Sequence, residues 1–430
     1  MAFMNNIRVK DRCIVGDGAH ASIARSVSGV KYLTSKNFKS TGLDLSKVDY
    51  ISERDFEKHF ENKRSLVKPK TGDIVFGIIG SIGTPYIVRS SDNFGISSSV
   101  AILRPNRSLD CRFLYYFMTT PAFQSAVEAM KSGSAQGFLS LEMIKNLPLL
   151  DLPLQTQRNI AAILTSYDDL IENNKCRITL LENMAEEIYR EWFVRFRFPG
   201  WQEAEFEKGQ PIAWTHQKIA QAFDFTGGGT PSKDNDSFWR NGNVDWYTPS
   251  DITKSNSLFM ASSEYQCNEE GLRRSSARLF PAYSVMMTSR ATIGAIGINS
   301  KPACTNQGFI TCIPNEQYPL TYLYHWLKAA KPHFEMLSGG ATFPELIKST
   351  FKRIEILSPD QGVIEKFDEL VSPMFKKMET LAVQNRKLEQ TKNQLLPRLI
   401  SGKLSVENLD IQFPPSMQSD QSDNADEAAA

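Results

Sequence analysis

Two stretches of this chain share one hydrophobic signature. From Gln155 to Phe196 there is no proline or glycine, and seam positions return at alternating steps of four and three: Ile160, Leu164, Tyr167, Ile171, Asn174, Ile178, Leu181, Ala185, Ile188 and Trp192. The second stretch gives Ile364, Phe367, Val371, Met374, Met378, Leu381, Asn385, Leu388, Lys392, Leu395 and Leu399. This spacing keeps one stripe of a helix turned toward a partner, so both stretches read as heptad seams. Pro373 predicts a kink early in the second helix. Each seam contains a central asparagine. In an antiparallel pair, a-layers face d-layers, and Asn174 at d meets Asn385 at a if facing residue numbers add up to 559. Ile160 then faces Leu399, Ile188 faces Val371 and Trp192 faces Phe367. A parallel pair, which joins a with a and d with d, cannot bring the two asparagines together. The pattern therefore predicts an antiparallel coiled coil within the chain, its register set by a buried polar pair. The alternative is two ordinary amphipathic core helices with wider apolar faces. Forty helical residues span roughly 60 Å and would hold two attached domains far apart.

The segments before these helices also resemble each other. Gly72-Asp-Ile-Val followed by Gly80-Ser-Ile-Gly83 matches Tyr283-Ser-Val-Met followed by Ala291-Thr-Ile-Gly294 at an offset of 211. Phe113-Leu-Tyr-Tyr-Phe117 matches Tyr322-Leu-Tyr-His-Trp326 at 209, and Gly133-Ser-Ala-Gln136 is similar to Gly339-Gly-Ala-Thr342. Asp151-Leu-Pro153 matches Leu357-Ser-Pro359 and Gln155 matches Gln361, both at 206. Short apolar runs broken by Gly, Ser and Thr turns predict a mixed α/β domain in each copy. The predicted plan is two similar α/β domains, 1–153 and 208–358, each followed by a helical spacer, 154–200 and 359–404, with an internal pseudo-two-fold repeat and an acidic, disordered tail at 405–430.

Charge sharpens the plan. The net charge of +1 conceals +6 over 1–152, −4 over 153–207, +3 over 208–358, +2 over 359–404 and −6 in the tail. Two basic blocks suit a polyanionic partner, and the opposite signs of the two spacers favour their pairing. The six cysteines are scattered without a CxxC, and no run of 18 apolar residues exists. These features predict a cytoplasmic protein with no disulfide framework, zinc site or membrane span.

Three motifs carry a resemblance. Asn183-Met-Ala-Glu-Glu-Ile-Tyr-Arg-Glu-Trp-Phe-Val-Arg-Phe-Arg-Phe-Pro-Gly200 is similar to the central conserved region of type I restriction–modification specificity subunits. Leu395-Leu-Pro-Arg-Leu-Ile-Ser-Gly-Lys-Leu404 resembles the closing segment of that family. Gly227-Gly-Gly-Thr-Pro-Ser232 with Phe238-Trp-Arg-Asn-Gly-Asn-Val-Asp-Trp-Tyr-Thr-Pro-Ser-Asp-Ile252 resembles the opening of a common class of target-recognition domain, and the first domain departs from that opening. The resemblance implies a non-catalytic subunit whose two target-recognition domains each read half of an interrupted sequence in double-stranded DNA. It also implies spacer helices that dock methyltransferase (M) subunits, a pair of them, and an associated motor-nuclease (R) subunit. S-adenosylmethionine, ATP and magnesium are then expected on partner subunits and none on this chain.

Turn residues able to touch phosphates or base edges are the candidate contacts. In the first domain these are Lys31, Thr34, Ser35, Lys36, Asn37, Lys39, Ser81, Ser97 and Ser98. In the second, Thr230, Ser232 and Lys233 follow three glycines that would let backbone approach a phosphate. Arg240, Tyr247, Thr248, Ser250, Asp251, Lys254, Arg290, Thr292, Asn306 and Gln307 complete the set, with Arg290 suited to a guanine edge or a phosphate and the Asn306 and Gln307 amides to adenine. Basic turns are equally readable as solvated surface, and tryptophans such as Trp239 and Trp246 are more often packing residues. Searches for catalysis fail: the Pro-Pro at 414–415 is not an (N/D)PP(Y/F) tetrapeptide, Gly77, Gly80 and Gly83 do not make GxGxxG, and Pro359-Asp360 precedes Glu365-Lys366 without nuclease spacing. His325 and His333 have no metal-ligand spacing, and Asp168-Asp169 and Glu186-Glu187 read as solvated helix charges. The competing function is a coiled-coil adaptor that binds protein partners.

Overall fold

The computed structural model describes residues 6–39, 42–61, 66–132, 137–339, 344–407 and 409–418. The chain divides into two compact units, one of Met1–Ile171 with Lys387–Ala430 and the other of Glu172–Arg386. Both boundaries fall inside long helices, Leu154–Tyr189 and Gln361–Ile400, so each unit owns a domain and a part of each helix.

In the first unit, strands Cys13–Asp17, Val100–Pro105, Ile74–Gly77 and Pro85–Ile87 form an antiparallel sheet in that spatial order. Strand Val30–Leu33 pairs antiparallel with Asp49–Ile51 and parallel with Phe94–Ile96. Asn6–Arg8 pairs with Pro148–Leu150 where the chain leaves the domain. Helix Cys111–Thr119 starts where the Asp110 carboxylate accepts from the Arg112 and Phe113 amides at 3.0 and 2.9 Å, satisfying two amides that a helix leaves unpaired.

The second unit repeats this frame strand for strand. Phe225–Gly227, Phe309–Cys312, Val285–Thr288 and Ile296–Asn299 follow the same order and sense, with Phe259–Met260 added at the edge. Val244–Tyr247 pairs antiparallel with Tyr265–Cys267 and parallel with Ala303–Thr305, and Thr215–Lys218 pairs with Glu355–Ser358. Registers match as well: Ile102 opposite Val75 in one copy is Thr311 opposite Met286 in the other. The helices begin at Leu154 and Gln361, an offset of 207 rather than the 206 suggested by the glutamines. The 133–136 match and residues 340–342 of its counterpart lie outside the described residues.

Within each unit the helix halves pack antiparallel. In the second, Ala185, Ile188 and Trp192 share a core with Phe367, Val371 and Met378, and the Trp192 and Phe367 rings lie 5.9 Å apart. Asn174 Nδ2 donates to Asn385 Oδ1 at 2.9 Å in a buried contact, the pairing that the seam register requires. In the first unit, Ile160 and Leu164 share a core with Leu396 and Leu399. The second helix is continuous from Gln361 to Ile400, Pro373 included. Two expectations need correction. The paired acids are not simply solvated: Asp168 accepts from Tyr116 Oη at 2.7 Å and Lys392 Nζ at 2.5 Å, Asp169 from Ser416 at 2.7 Å, and Glu186 from Lys328 at 2.9 Å. Part of the segment after Leu404 packs on the first unit: Val406 and Met417 are buried, Ile411 and Phe413 pack beside them, and Asn159 donates to the Val406 carbonyl at 3.2 Å. Residues 419–430 lie outside the described residues.

Candidate nucleic-acid interface

Each domain gathers its turns by backbone hydrogen bonds at and beyond the ends of its strands. In the second, Gly229 N donates to Thr305 O at 2.9 Å, Asn306 N to Tyr247 O at 3.0 Å, Ser289 N to Gly308 O at 2.8 Å and Leu346 N to Ser289 O at 3.0 Å. In the first, Ala19 N donates to Ile96 O at 3.0 Å, Ser97 N to Leu33 O at 2.9 Å, Ile78 N to Ser99 O at 2.8 Å and Leu139 N to Ile78 O at 3.0 Å. These are the same four stitches. They bring together Thr230, Thr248–Ser250, Arg290, Asn306, Gln307 and Glu345 in one copy, and Ser35, Ile79, Ser81 and Ser97–Ser99 in the other.

The glycines are explained by this stitching. A Cβ on Gly228 would lie 1.8 Å from the Asn306 carbonyl oxygen, one on Gly229 2.2 Å from Ser276 Oγ, and one on Gly227 2.2 Å from Lys348 Nζ. Their missing side chains make room for the protein itself, which replaces the expected approach of a phosphate. Gly18 does the same in the first domain, where a Cβ would lie 2.2 Å from Ile96 O. The first domain thus keeps the structural part of the opening motif while lacking its sequence.

Several candidates are committed to local structure. Asn37 Oδ1 accepts from Thr34 N at 2.9 Å and Thr34 Oγ1 at 3.2 Å, while its Nδ2 donates to Asp44 O at 3.0 Å. Asp251 Oδ2 accepts from Thr248 N at 2.7 Å and Thr248 Oγ1 at 2.6 Å, and its other oxygen accepts from Glu264 N at 2.8 Å. The two residues form the same turn cap in equivalent places. Ser35 is buried, and Tyr247 is buried with its hydroxyl facing the Met260 carbonyl at 3.4 Å. Ser97 and Ser99 share a hydrogen bond at 2.6 Å, and Ser98 N donates to Ala19 O at 3.2 Å.

Others remain at the surface. Lys31, Lys36, Lys39 and Ser81 are exposed in the first domain, as are Ser232, Lys233, Ser250, Lys254, Thr292 and Gln307 in the second. Lys233 Nζ lies 5.7 Å from the centroid of the Trp246 ring, whose Nε1 donates to Gly229 O at 2.8 Å, so the buried indole anchors an exposed cation. Thr230 Oγ1 donates to Gln307 Oε1 at 2.7 Å, orienting that amide, while Asn306 Oδ1 accepts from Gly308 N at 2.9 Å. Arg240 lies 3.8 Å from Asp236 with both side chains largely exposed, and its carbonyl accepts from Asn268, which ties it to a turn outside the stitched set. Arg290 Nε pairs with Glu345 Oε1 at 2.7 Å.

Sequence reading missed Glu345, Lys348 and Ile79. Glu345 comes into play through backbone bridges and Lys348 through the approach of its Nζ to Gly227, neither of which leaves a local pattern. Ile79, half exposed at the place of Arg290, was readable from the 211 offset. Among the described residues, no group of three or more His, Cys, Asp or Glu side chains is placed to hold a metal ion, and no helix is long and apolar enough to cross a membrane.

The model of the type I restriction modification DNA specificity domain matches twice, at residues 25–183 and 211–394. The chain belongs to this DNA specificity family. It is 33% identical to the MjaIX specificity subunit of Methanocaldococcus jannaschii over 46% of each chain, so that match spans about half of either protein. It is 24% identical to the HindI specificity subunit of Haemophilus influenzae, over 78% of this chain and 87% of that one. Its fold is similar to the crystal structure of a type I restriction–modification S subunit from M. genitalium, with a TM-score of 0.57 and 15% identity over 93% of this chain and 97% of that one. In this family the chain's part is specificity rather than catalysis, and each matched region takes in one α/β domain and much of the long helix that follows it.

Proposed function

We propose that each domain reads one half of an interrupted sequence in duplex DNA, through the turns that the four backbone stitches gather. The supporting observation is one backbone frame built twice with different side chains at equivalent tips, as Ile79 and Arg290 illustrate. Two unlike half-sites call for such a design, because phosphate contacts need only a basic surface whereas base reading needs a distinct donor and acceptor set at each place. In this reading the antiparallel helices set the gap between half-sites and dock methyltransferase subunits, with motor-nuclease subunits joining them. S-adenosylmethionine, ATP and magnesium reside on those partners.

The test is selection of duplexes from a randomised pool by the full chain with its methyltransferase subunits. The expected product is two blocks of fixed bases separated by a constant number of unread ones, bound with strong salt dependence. A pool returned without base preference overturns the proposal and favours the protein-adaptor reading.

A further inference from the structure

Arg290 and Glu345 are joined twice, once by side chains and once by backbone. The guanidinium Nε lies 2.7 Å from Glu345 Oε1, with the side chains 53% and 31% exposed. The same two residues form an isolated antiparallel bridge, and Glu345 bridges Gly339 on its other side. Leu346 N donates to Ser289 O at 3.0 Å and Ala291 N to Pro344 O at 3.3 Å. The root of the carboxylate is therefore fixed on both flanks by main chain. A surface ion pair this exposed contributes little to stability, so folding does not account for the arrangement.

The contact engages the Nε edge of the guanidinium. The opposite end, with the two Nη groups, is the part that pairs side by side with O6 and N7 of guanine. A long side chain held at Nε has fewer rotamers to surrender on binding. The carboxylate also cancels the positive charge nearby, which weakens attraction to a phosphate of any sequence. In the first domain the equivalent places hold Ile79 and Phe138, so the device belongs to one domain alone.

We propose that Glu345 is a positioning residue that holds Arg290 for a guanine in the half-site of the second domain and suppresses sequence-independent binding. This rests on the DNA-reading proposal above, and the experiment separates the two. The full chain with its methyltransferase subunits is taken through the same randomised duplex pool as wild type, Arg290→Ala, Glu345→Gln and Glu345→Ala. Wild type is expected to fix a guanine at one position that Arg290→Ala releases. Glu345→Gln keeps every other base of both half-sites, lowers preference for that guanine about tenfold, and binds unrelated duplex more tightly with a salt slope steeper by about one phosphate contact. Glu345→Ala shows the same single-position change, which guards against an effect peculiar to the amide. A wild-type profile that stays unchanged in both Glu345 variants, with an unchanged salt slope, overturns the inference while leaving the DNA reading intact. So does an Arg290→Ala profile that keeps the guanine. A wild-type pool without any preferred bases removes the underlying reading and this inference with it.

Discussion

Ile79 and Arg290 stand at the same place in two copies of one frame. Both follow a buried strand, both precede a residue of positive φ, and both loops close with one hydrogen bond, Gly83 N to Gly77 O at 3.1 Å and Gly294 N to Thr288 O at 2.9 Å. One copy offers an apolar tip on glycine, the other a cation on alanine with a carboxylate partner. The domains differ again where they meet the helices. In the second, Phe193, Tyr189, Tyr322, His325 and Phe367 form an aromatic cluster with the Phe193 and Tyr322 rings 4.8 Å apart. In the first, the place of His325 is taken by Tyr116, which donates to Asp168, and the place of Phe367 by Ile160. The comparison teaches that hydrogen-bonded backbone was kept through duplication, while side chains at the tips and at the helix junction diverged together with their partners.

The largest test of that difference is at the helix junction. Phe367→Ala is expected to cost about 3–5 kcal/mol and Ile160→Ala about 2–5 kcal/mol, read by urea unfolding, with hydrogen exchange showing which unit opens. If Phe367→Ala proves the milder of the two, the aromatic cluster adds nothing to its side of the comparison.

The next effect depends on pH. His325 Nδ1 donates to the Thr321 carbonyl at 2.6 Å, and Nε2 has no hydrogen-bond partner among the described residues. Burial outweighs that bond and pushes the ring down to about 4. Above about pH 6.5 the ring is neutral in folded and unfolded chain alike, and the fold keeps its full stability. As pH falls from 6.5 toward 4, the unfolded chain takes a proton that the core refuses. Stability then declines by on the order of 3 kcal/mol. Burial holds Tyr116 well above its ordinary value, hence neutral in this range, so the first unit lacks the effect. His325→Phe should flatten the stability profile between pH 4 and 6.5, and a slope that survives the substitution assigns it to other groups.

A smaller effect concerns the helix register. Asn385→Leu leaves the Asn174 amide buried without its partner and should cost about 1–3 kcal/mol, most of it recovered when Asn174→Leu is added. By the 207 offset, the repeat equivalents of Asn174 and Asn385 are Leu381 and Ile178, so the polar layer is not duplicated. Additive losses in the double mutant would mean that the two amides do not act as a pair.

The smallest effect lies at the tips. Ala291 holds φ +59 where Gly80 holds +79. Ala291→Gly is expected to raise stability by about 1 kcal/mol and Gly80→Ala to lower it by a similar amount, measured by thermal melting. Shifts of the same sign in both variants would break the equivalence of the loops.

The sequence by itself determined the two long helices, the duplication and the asparagine register, because each leaves a periodic or repeated trace that needs no knowledge of distant contacts. It also located the tip loops, through the offset between Gly83 and Gly294. Tertiary structure alone decided which polar side chains remain available. Asn37 and Asp251 look like readers in sequence, yet both are spent capping turns, and Glu345 looks like an ordinary loop acid until a backbone bridge sets it beside Arg290. The same holds for the parallel strand pairs, for Gly228 against the Asn306 carbonyl, and for the packing of Val406 and Met417 onto the first domain. Periodicity reports how a segment faces its immediate neighbour. Hydrogen-bond partners and close approaches between residues far apart in sequence exist only once the chain has closed on itself.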